Sequence, residues 1–199
     1  MRSGNSDNER RVRRRRRRIQ AVVIYVTMAL GLAWFFELQA TTTIIFVRHA
    51  EKASQPADDP GLSDAGRVRV AELTRQLVDA DVDAGIDAIY STPFRRTQET
   101  AQALADALDL PVQLYAPDDN EAVLNTIIKS HKGKIILVVG HNNTVPTLIA
   151  DLGASKKVPP INENEYDNIY VVSIPWFGKT KTIRLRYGVP YVPAPVTAE

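Results

Sequence analysis

Arg48 and His49 stand side by side at the end of an apolar run, Ile44-Ile45-Phe46-Val47. A continuous apolar run bounded by polar residues is typical of a buried strand. Ligands of open α/β sheets bind beyond the carboxyl ends of such strands, so we expect the pair at the rim of a crevice. An imidazole can act as a nucleophile or proton carrier near neutral pH, and a guanidinium can hold an anionic oxygen.

Two further residues are expected at the same rim. His141 follows a second apolar run that ends at Gly140, and Arg96 falls in the first turn of a predicted helix that follows another strand. Because the carboxyl ends of parallel strands meet at one edge of a sheet, these positions converge with His49. The chain that leads from Gly140 into the next helix adds backbone N–H groups, which favour an anion.

This combination fits a dianionic group with several oxygens, which is phosphate. We expect neutral His49 to attack phosphorus and become phosphohistidine, after which water releases phosphate. Arg48, Arg96 and a protonated His141 would stabilise the charge on the phosphate oxygens. Because cationic side chains provide the positive charge, neither a metal nor a cofactor is expected.

The elements that position these residues alternate along the chain. The sequence predicts four strands, at residues 43–47, 86–90, 112–115 and 134–140. It predicts helices that start at Ser63, at residues 91–93 with Pro93 in the first turn, at residues 118–119, and at Val145. Two closing strands, 169–174 and 182–187, are joined by a turn at Gly178. This alternation predicts an α/β fold with a mainly parallel sheet, flanked by helices on both faces.

Three motifs resemble those of the histidine phosphatase (phosphoglycerate mutase-like) superfamily. Residues 48–51, Arg-His-Ala-Glu, are similar to its Arg-His-Gly/Ala signature. Residues 90–96, with Thr100-Ala101 after them, resemble its Ser-Pro-containing turn before an arginine, which places the phosphate-binding arginine on Arg96 rather than Arg95. Residues 138–141 resemble the strand end that carries its second catalytic histidine. The resemblance covers about residues 43–188 and implies a phosphoglycerate mutase-like fold, with His49 as the nucleophile.

The proton donor remains open at this stage. Many members of the superfamily carry a glutamate in a Glu-rich, Trp-containing stretch after the third strand, and this sequence has no such stretch. The candidates are Glu51, Asp118, Asp119 and Glu121. Glu51 is our first choice because it is close to His49 in sequence, and Asp119 is the second. Asp118 and Asp119 are equally suited to cap the helix that follows them.

The N-terminal segment has a different composition from the rest. Residues 1–18 carry nine arginines and a net charge of +7, residues 41–199 a net charge of −4, and the chain has no cysteine. Residues 1–9 are expected to lack regular structure. The apolar run from Ile19 to Phe36 is about long enough to span a bilayer of roughly 30 Å. Arginines before such a run are retained in the cytoplasm.

The sequence therefore divides into a basic cytoplasmic tail (1–18), a transmembrane anchor or signal segment (19–38) and a histidine phosphatase domain (41–199). We expect a single-pass protein of the cytoplasmic membrane with its domain outside the cytoplasm. Residues 38–40, Leu-Gln-Ala, weakly resemble a cleavage site, so a secreted or periplasmic domain is the alternative. The arginine run leads directly into the apolar span, which disfavours a nucleic-acid partner.

The leading interpretation is a membrane-anchored phosphatase that hydrolyses phosphate monoesters, whether small molecules or proteins, through a phosphohistidine. A phosphoprotein phosphatase and a phosphoglycerate mutase-like enzyme are the alternatives. A non-catalytic domain that binds a phosphorylated ligand at the membrane is the alternative from another class. The sequence leaves the physiological substrate and the oligomeric state open.

Overall fold

The computed structural model describes residues 4–37, 41–79, 85–155 and 157–193, and the chain forms two compact units, residues 1–39 and 40–199. The first unit is one helix, α1 (Gly4–Glu37). Its segment Arg10–Phe36 includes an 18-residue stretch with a mean hydropathy of 2.0, which is long and apolar enough to cross a membrane, and no part of that stretch is buried. By length and composition this helix fits either a membrane span or a signal sequence.

The expectation that residues 1–9 lack regular structure is wrong from Gly4 onward, because α1 already includes Gly4–Glu9. Once a helix has nucleated, each added residue gains a hydrogen bond. Arginine also has a high helix propensity. The helix of the apolar segment therefore extends back through the arginine run.

The second unit alternates strands and helices before a closing pair of strands. In chain order the elements are β1 (Thr42–Arg48), α2 (Asp64–Asp79), β2 (Ala88–Ser91), α3 (Arg95–Leu108), β3 (Val112–Leu114), α4 (Asn120–Ser130), β4 (Ile135–Gly140), α5 (Thr144–Asp151), β5 (Asn168–Ile174) and β6 (Lys181–Arg186).

The six strands form one sheet in the order β3-β2-β4-β1-β5-β6. Strands β1 to β4 are mutually parallel where they pair, whereas β5 is antiparallel to both β1 and β6. β1 and β4 are neighbours, and their register pairs Arg48 with Gly140. The ends of these two central strands therefore bring Arg48, His49 and His141 to one edge of the sheet.

Helices cover the sheet on both faces, as the sequence predicts. Residues on alternate positions of β1, β2 and β4 point to opposite faces. One face packs Ile45, Val47, Leu137 and Val139 against α2 and α3, and the other packs Ile44, Phe46, Ile136 and Val138 against α4 and α5. Both faces of the central strands are buried, which explains why those strands are apolar without alternation.

The predicted start of the second helix is wrong by four residues. Ser91 ends β2, where it pairs with Leu114 and Val139. Phe94 has extended backbone angles, and the helix begins at Arg95. Pro93 therefore lies in the connecting turn rather than in the first turn of the helix. Arg96 still falls in that first turn, because the later start only makes it the second helical residue.

Candidate active site

The structure brings Arg48, His49, Arg96 and His141 together around one cavity of about 470 Å³ at the carboxyl ends of β1, β2 and β4. Lys52 adds a third cationic side chain to the lining. The His49 backbone N–H donates to the Gly140 carbonyl at 3.0 Å, which ties the end of β1 to the end of β4. The two imidazole ring centres lie 5.5 Å apart.

His49 is held in the tautomer that a nucleophile requires. Its Nδ1–H donates to the carbonyl of Ala50 at 2.7 Å, so the lone pair resides on Nε2. The residue is 4% exposed. Burial, with the charges of Arg48 and Arg96 and the proximity of His141, lowers the pKa of His49 to about 3. His49 is therefore neutral at physiological pH, and its Nε2 is ready to attack an electrophile.

His141 is fixed from both sides. Thr144 Oγ1 accepts from its backbone N–H at 3.0 Å, and Thr92 Oγ1 lies 3.0 Å from its Nε2. Burial and the charges of Arg96 and Arg48 lower the pKa of His141 to about 4. The expectation that His141 stays protonated is therefore wrong for the free site, because burial and two nearby guanidinium groups disfavour an imidazolium there.

Arg48 connects β1 to the loop that precedes β5. Its Nη1 donates to the carbonyls of Asn162 at 2.7 Å and Glu165 at 3.0 Å. Its guanidinium carbon lies 4.0 Å from the centre of the Tyr166 ring, and that ring lies 6.0 Å from the ring of His49. Burial lowers the pKa of Arg48, against the opposing effects of Tyr166 and the charge of Glu163. The loop thus fixes the plane of the guanidinium that borders the cavity.

Arg96 is positioned by an aromatic ring and a carboxylate. Its guanidinium carbon lies 4.5 Å from the centre of the Phe94 ring, and that ring in turn packs edge-on against His141 at 5.2 Å. Asp59 Oδ1 lies 3.8 Å from Arg96 Nη1, and the same carboxylate accepts from the Arg95 backbone N–H at 3.0 Å. Asp59 therefore orients both the start of α3 and the arginine that it presents.

The structure places the four candidate proton donors away from the cavity lining. Both carboxylate oxygens of Glu51 accept from Arg69 Nε, at 2.8 and 3.0 Å. Asp119 caps α4 by accepting from the Ala122 N–H at 3.0 Å, and Asp118 is exposed beside it. Glu121 lines a separate cavity next to α4.

Sequence reasoning missed Glu163, which carries the only carboxylate among the described residues that line the cavity. Its charge acts on Arg48, whose pKa it raises against the effect of burial. Tyr166 was missed as well. Both lie in the loop before β5, where no residue pattern distinguishes a side chain that faces the cavity from one that faces solvent.

The cavity has the composition of an anion site rather than a metal site. Across the described ranges, no group of three or more His, Asp or Glu side chains is arranged to hold a metal. Instead, three cationic side chains surround two neutral imidazoles, and Asn142, Asn143 and Thr144 lie at the start of α5 on the same rim. A group with several anionic oxygens fits this arrangement.

Comparisons with known proteins agree with this geometry. Residues 44–116 match the model of the histidine phosphatase superfamily (branch 1). That segment includes Arg48, His49 and Arg96, and it ends before His141. No curated protein sequence matches the chain.

Solved structures share the fold at low sequence identity. The protein histidine phosphatase SixA in complex with tungstate is 21% identical, with a TM-score of 0.59 over 72% of this chain and 96% of that one. A SixA from Nakamurella multipartitia is 17% identical, with a TM-score of 0.55 over 77% and 98%. The mycobacterial glucosyl-3-phosphoglycerate phosphatase is 14% identical, with a TM-score of 0.51 over 67% and 90%. Residues 44–116, with their Arg-His motif, are therefore similar to the histidine phosphatase superfamily, and the domain shares the fold of these solved phosphatase structures.

Proposed function

We propose that the domain hydrolyses phosphate monoesters through a phosphohistidine on His49. The observation that carries this proposal is the state of His49, which is neutral, buried and held with Nε2 as the attacking nitrogen. Arg48 and Arg96 supply the positive charge that a phosphoryl group requires during transfer. The match of residues 44–116 to the histidine phosphatase superfamily model supports the same chemistry.

The proposed reaction has two displacements. In the first, Nε2 of His49 forms a bond to phosphorus while the bond from phosphorus to the ester oxygen breaks. The leaving oxygen takes a proton from the protonated carboxyl of Glu163, which lines the cavity, or from water. In the second, water attacks phosphorus and passes a proton to the Glu163 carboxylate, the bond to Nε2 breaks, and inorganic phosphate leaves. A bound phosphate dianion offsets the field of both arginines, so His141 can be protonated during turnover and donate to a phosphate oxygen.

A protein substrate that carries phosphohistidine is the second candidate. Two of the structural neighbours are SixA proteins, and one is described as a protein histidine phosphatase. A third neighbour is a phosphatase of a sugar-derived ester. The cationic lining recognises the phosphoryl group that these substrates share and does not by itself select one of them.

We propose further that residues 19–38 anchor this domain in a membrane and that the arginines of residues 1–18 hold the N-terminus in the cytoplasm. The apolar helix within Arg10–Phe36 supports the anchor, and the positive-inside rule supports the orientation. The domain of residues 41–199 would then act outside the cytoplasm. A cleaved signal sequence in the same helix is the alternative, and it leads to the same compartment.

The test is to trap the phosphoenzyme. The full chain in detergent micelles, with chelator present, is mixed with a ³²P-labelled phosphate ester and quenched rapidly into base, where phosphohistidine survives. We expect label on His49 in the wild type and in His141→Ala, and none in His49→Ala. His131→Ala is the matched control, because His131 contacts Tyr90 at 2.9 Å rather than the cavity.

The outcomes separate the candidate functions. A label on His141, or an intact phosphoenzyme in His49→Ala, would reverse the assignment. Binding of phosphate ester without label or release of phosphate would favour a non-catalytic binding domain, and transfer of label to a second hydroxyl of the substrate would favour a mutase. A parallel assay with phosphohistidine and phosphoserine peptides separates the two substrate classes.

A further inference from the structure

The turn between β5 and β6 exposes two large aromatic side chains. Trp176 is 57% exposed and Phe177 is 88% exposed. Single exposed apolar residues are common on protein surfaces, but two adjacent aromatic residues at the tip of a hairpin form a protruding apolar point. Aromatic residues of this kind are enriched at the interface between a membrane and water.

The topology puts this turn at the end of the sheet where the chain enters the domain. Thr42, the first residue of β1, is the register partner of Ile174, the last residue of β5. The next residues along the chain are Pro175, Trp176 and Phe177. The aromatic turn is therefore adjacent to the first residue of the domain.

The sequence between α1 and β1 is short. Helix α1 ends at Glu37 and β1 begins at Thr42. Five steps along an extended chain cover at most about 18 Å. If α1 spans a bilayer, Thr42 therefore lies within about 18 Å of the end of that helix, which is a distance over which the domain can reach the lipid headgroups.

Several lysines lie at the same end of the sheet, together with Asp151, which borders a cavity with Ile174, and Asp87, which pairs with Lys134 at 2.7 Å. Lys179 and Lys181 follow the aromatic pair and are exposed. On the other side of Thr42, the Gly133 N–H donates to Thr42 Oγ1 at 3.0 Å, and Lys132 beside it is exposed. Exposed lysines next to aromatic residues match the chemistry of an anionic membrane surface, in which aromatic rings enter the headgroup region and ammonium groups contact lipid phosphates.

We propose that residues 175–181 form a membrane contact that inserts Trp176 and Phe177 into the headgroup region of the bilayer spanned by α1. This inference rests on the proposed membrane anchor. It has a consequence for the active site, which lies at the other end of β1, about 20 Å away for seven residues of strand. The cavity then opens away from the lipid surface, toward substrates in solution rather than toward lipid phosphates.

The test uses the fluorescence of Trp176 in lipid nanodiscs. The chain has two tryptophans, Trp34 and Trp176, so Trp34→Phe leaves Trp176 as the only one. The full chain is incorporated into nanodiscs that contain phosphatidylglycerol and phosphatidylcholine, either unbrominated or brominated near the headgroup end of the acyl chains. We expect brominated lipid to quench at least half of the Trp176 emission. Adding Lys179→Glu and Lys181→Glu should reduce that quenching at low ionic strength.

The matched control moves the tryptophan to the other end of the domain. Val68 is 71% exposed near the start of α2, and the backbone N–H of Ser63, just before α2, donates to Glu51 beyond the active-site end of β1. In a chain with Trp34→Phe, Trp176→Phe and Val68→Trp, we expect no quenching. Equal emission from Trp176 in brominated and unbrominated discs would overturn the proposed contact.

Co-elution of the chain with the discs is scored separately. A chain that does not co-elute overturns the membrane anchor and the contact together. A chain that co-elutes but shows no quenching of Trp176 overturns the contact alone.

Discussion

Burial and the same two arginines that the site would offer to a phosphate keep His49 and His141 neutral. Burial is the larger cause, and Arg48 and Arg96 lower the pKa of both imidazoles further, so the proposed nucleophile needs no separate base to deprotonate it. In the proposed reaction, a residue that binds the phosphoryl group therefore also helps to keep the attacking group neutral. This coupling makes the pH dependence of the reaction a sensitive measure of the site.

Replacing Arg96 should move the acid limb of kcat/KM to higher pH. In Arg96→Met, the loss of a nearby positive charge stabilises both imidazolium ions and raises the pKa of His49 and His141, while burial still holds both below their ordinary value. We expect the wild-type limb below about pH 5 and the variant limb at a higher pH, with activity reduced on the order of 10²-fold or more. The measurement is hydrolysis of nitrophenyl phosphate between pH 3 and 8.

Arg95→Met provides the control for that experiment, since Arg95 Nε donates to Glu99 at 2.7 Å and is not part of the cavity lining. Its acid limb should match that of the wild type. An unchanged limb in Arg96→Met would mean that the arginine does not set the charge of the nucleophile.

Glu163 and Glu51 form a matched pair for the identity of the proton donor. Glu163→Gln should slow hydrolysis of an alkyl phosphate by about 10²-fold, because general acid catalysis matters most for a poor leaving group. The same variant should have little effect on nitrophenyl phosphate, whose leaving group needs little protonation. The comparison of the two substrates is made at one pH.

Glu51→Gln should affect the two substrates equally, because its carboxylate is engaged with Arg69. Its effect should appear as reduced thermal stability, since that ion pair joins the loop after β1 to α2. A dependence on the leaving group in Glu51→Gln, with none in Glu163→Gln, would restore Glu51 as the donor.

At the scale of elements, the sequence correctly predicted the central strands and the residues at their ends. The apolar runs of β1 and β4 fixed the positions of His49 and His141, because a buried strand must end where polar residues begin. The start of α3 was predicted too early, since Ser91 and Pro93 suit the beginning of a helix as well as the turn that the sheet imposes.

The loop from Ile161 to Asp167 could not be predicted in the same way. It places Tyr166 and Glu163 at the cavity through bonds from Arg48 to two of its carbonyl groups. Those contacts join residues that are more than 110 positions apart. Local propensity carries no information about pairs that are so distant in sequence. Glu51 was assigned to the cavity because it is close to His49 in sequence, but that closeness does not determine the direction of its side chain.

Replacing Gly66 tests how closely α2 must pack against the chain that follows β1. A Cβ at this position would clash with the backbone oxygen of Glu51, two residues after His49. Gly66→Ala should therefore push this backbone away, destabilise the domain by about 1–3 kcal/mol as overpacked sites do, and lower kcat through displacement of His49.

The control adds the same methyl group where there is space. In Gly31→Ala the Cβ meets nothing within 4 Å, so thermal unfolding of the domain and kcat should both be unchanged. Wild-type stability and kcat in Gly66→Ala would show that the loop after β1 yields without moving the nucleophile.

At the scale of the whole molecule, one chain combines a basic, apolar helix with a mildly acidic α/β domain. Composition alone identified the helix as either a membrane span or a signal sequence, because a long apolar run follows an arginine cluster. Composition does not determine which side of a membrane would hold the domain. That orientation depends on the retention of the arginines, which is a property of membrane insertion rather than of the fold.

The orientation gives the last prediction. A phosphatase reporter that folds only outside the cytoplasm, fused after Glu199, should be active, and a fluorescent reporter that matures only in the cytoplasm should be dark at the same position. Replacing the eight arginines between Arg10 and Arg18 with serine removes the charge bias that retains the N-terminus. This variant should show a reduced signal from the first reporter and a new signal from the second. Fluorescence from the cytoplasmic reporter in the unmodified chain would place the active site inside the cell and exclude the proposed orientation.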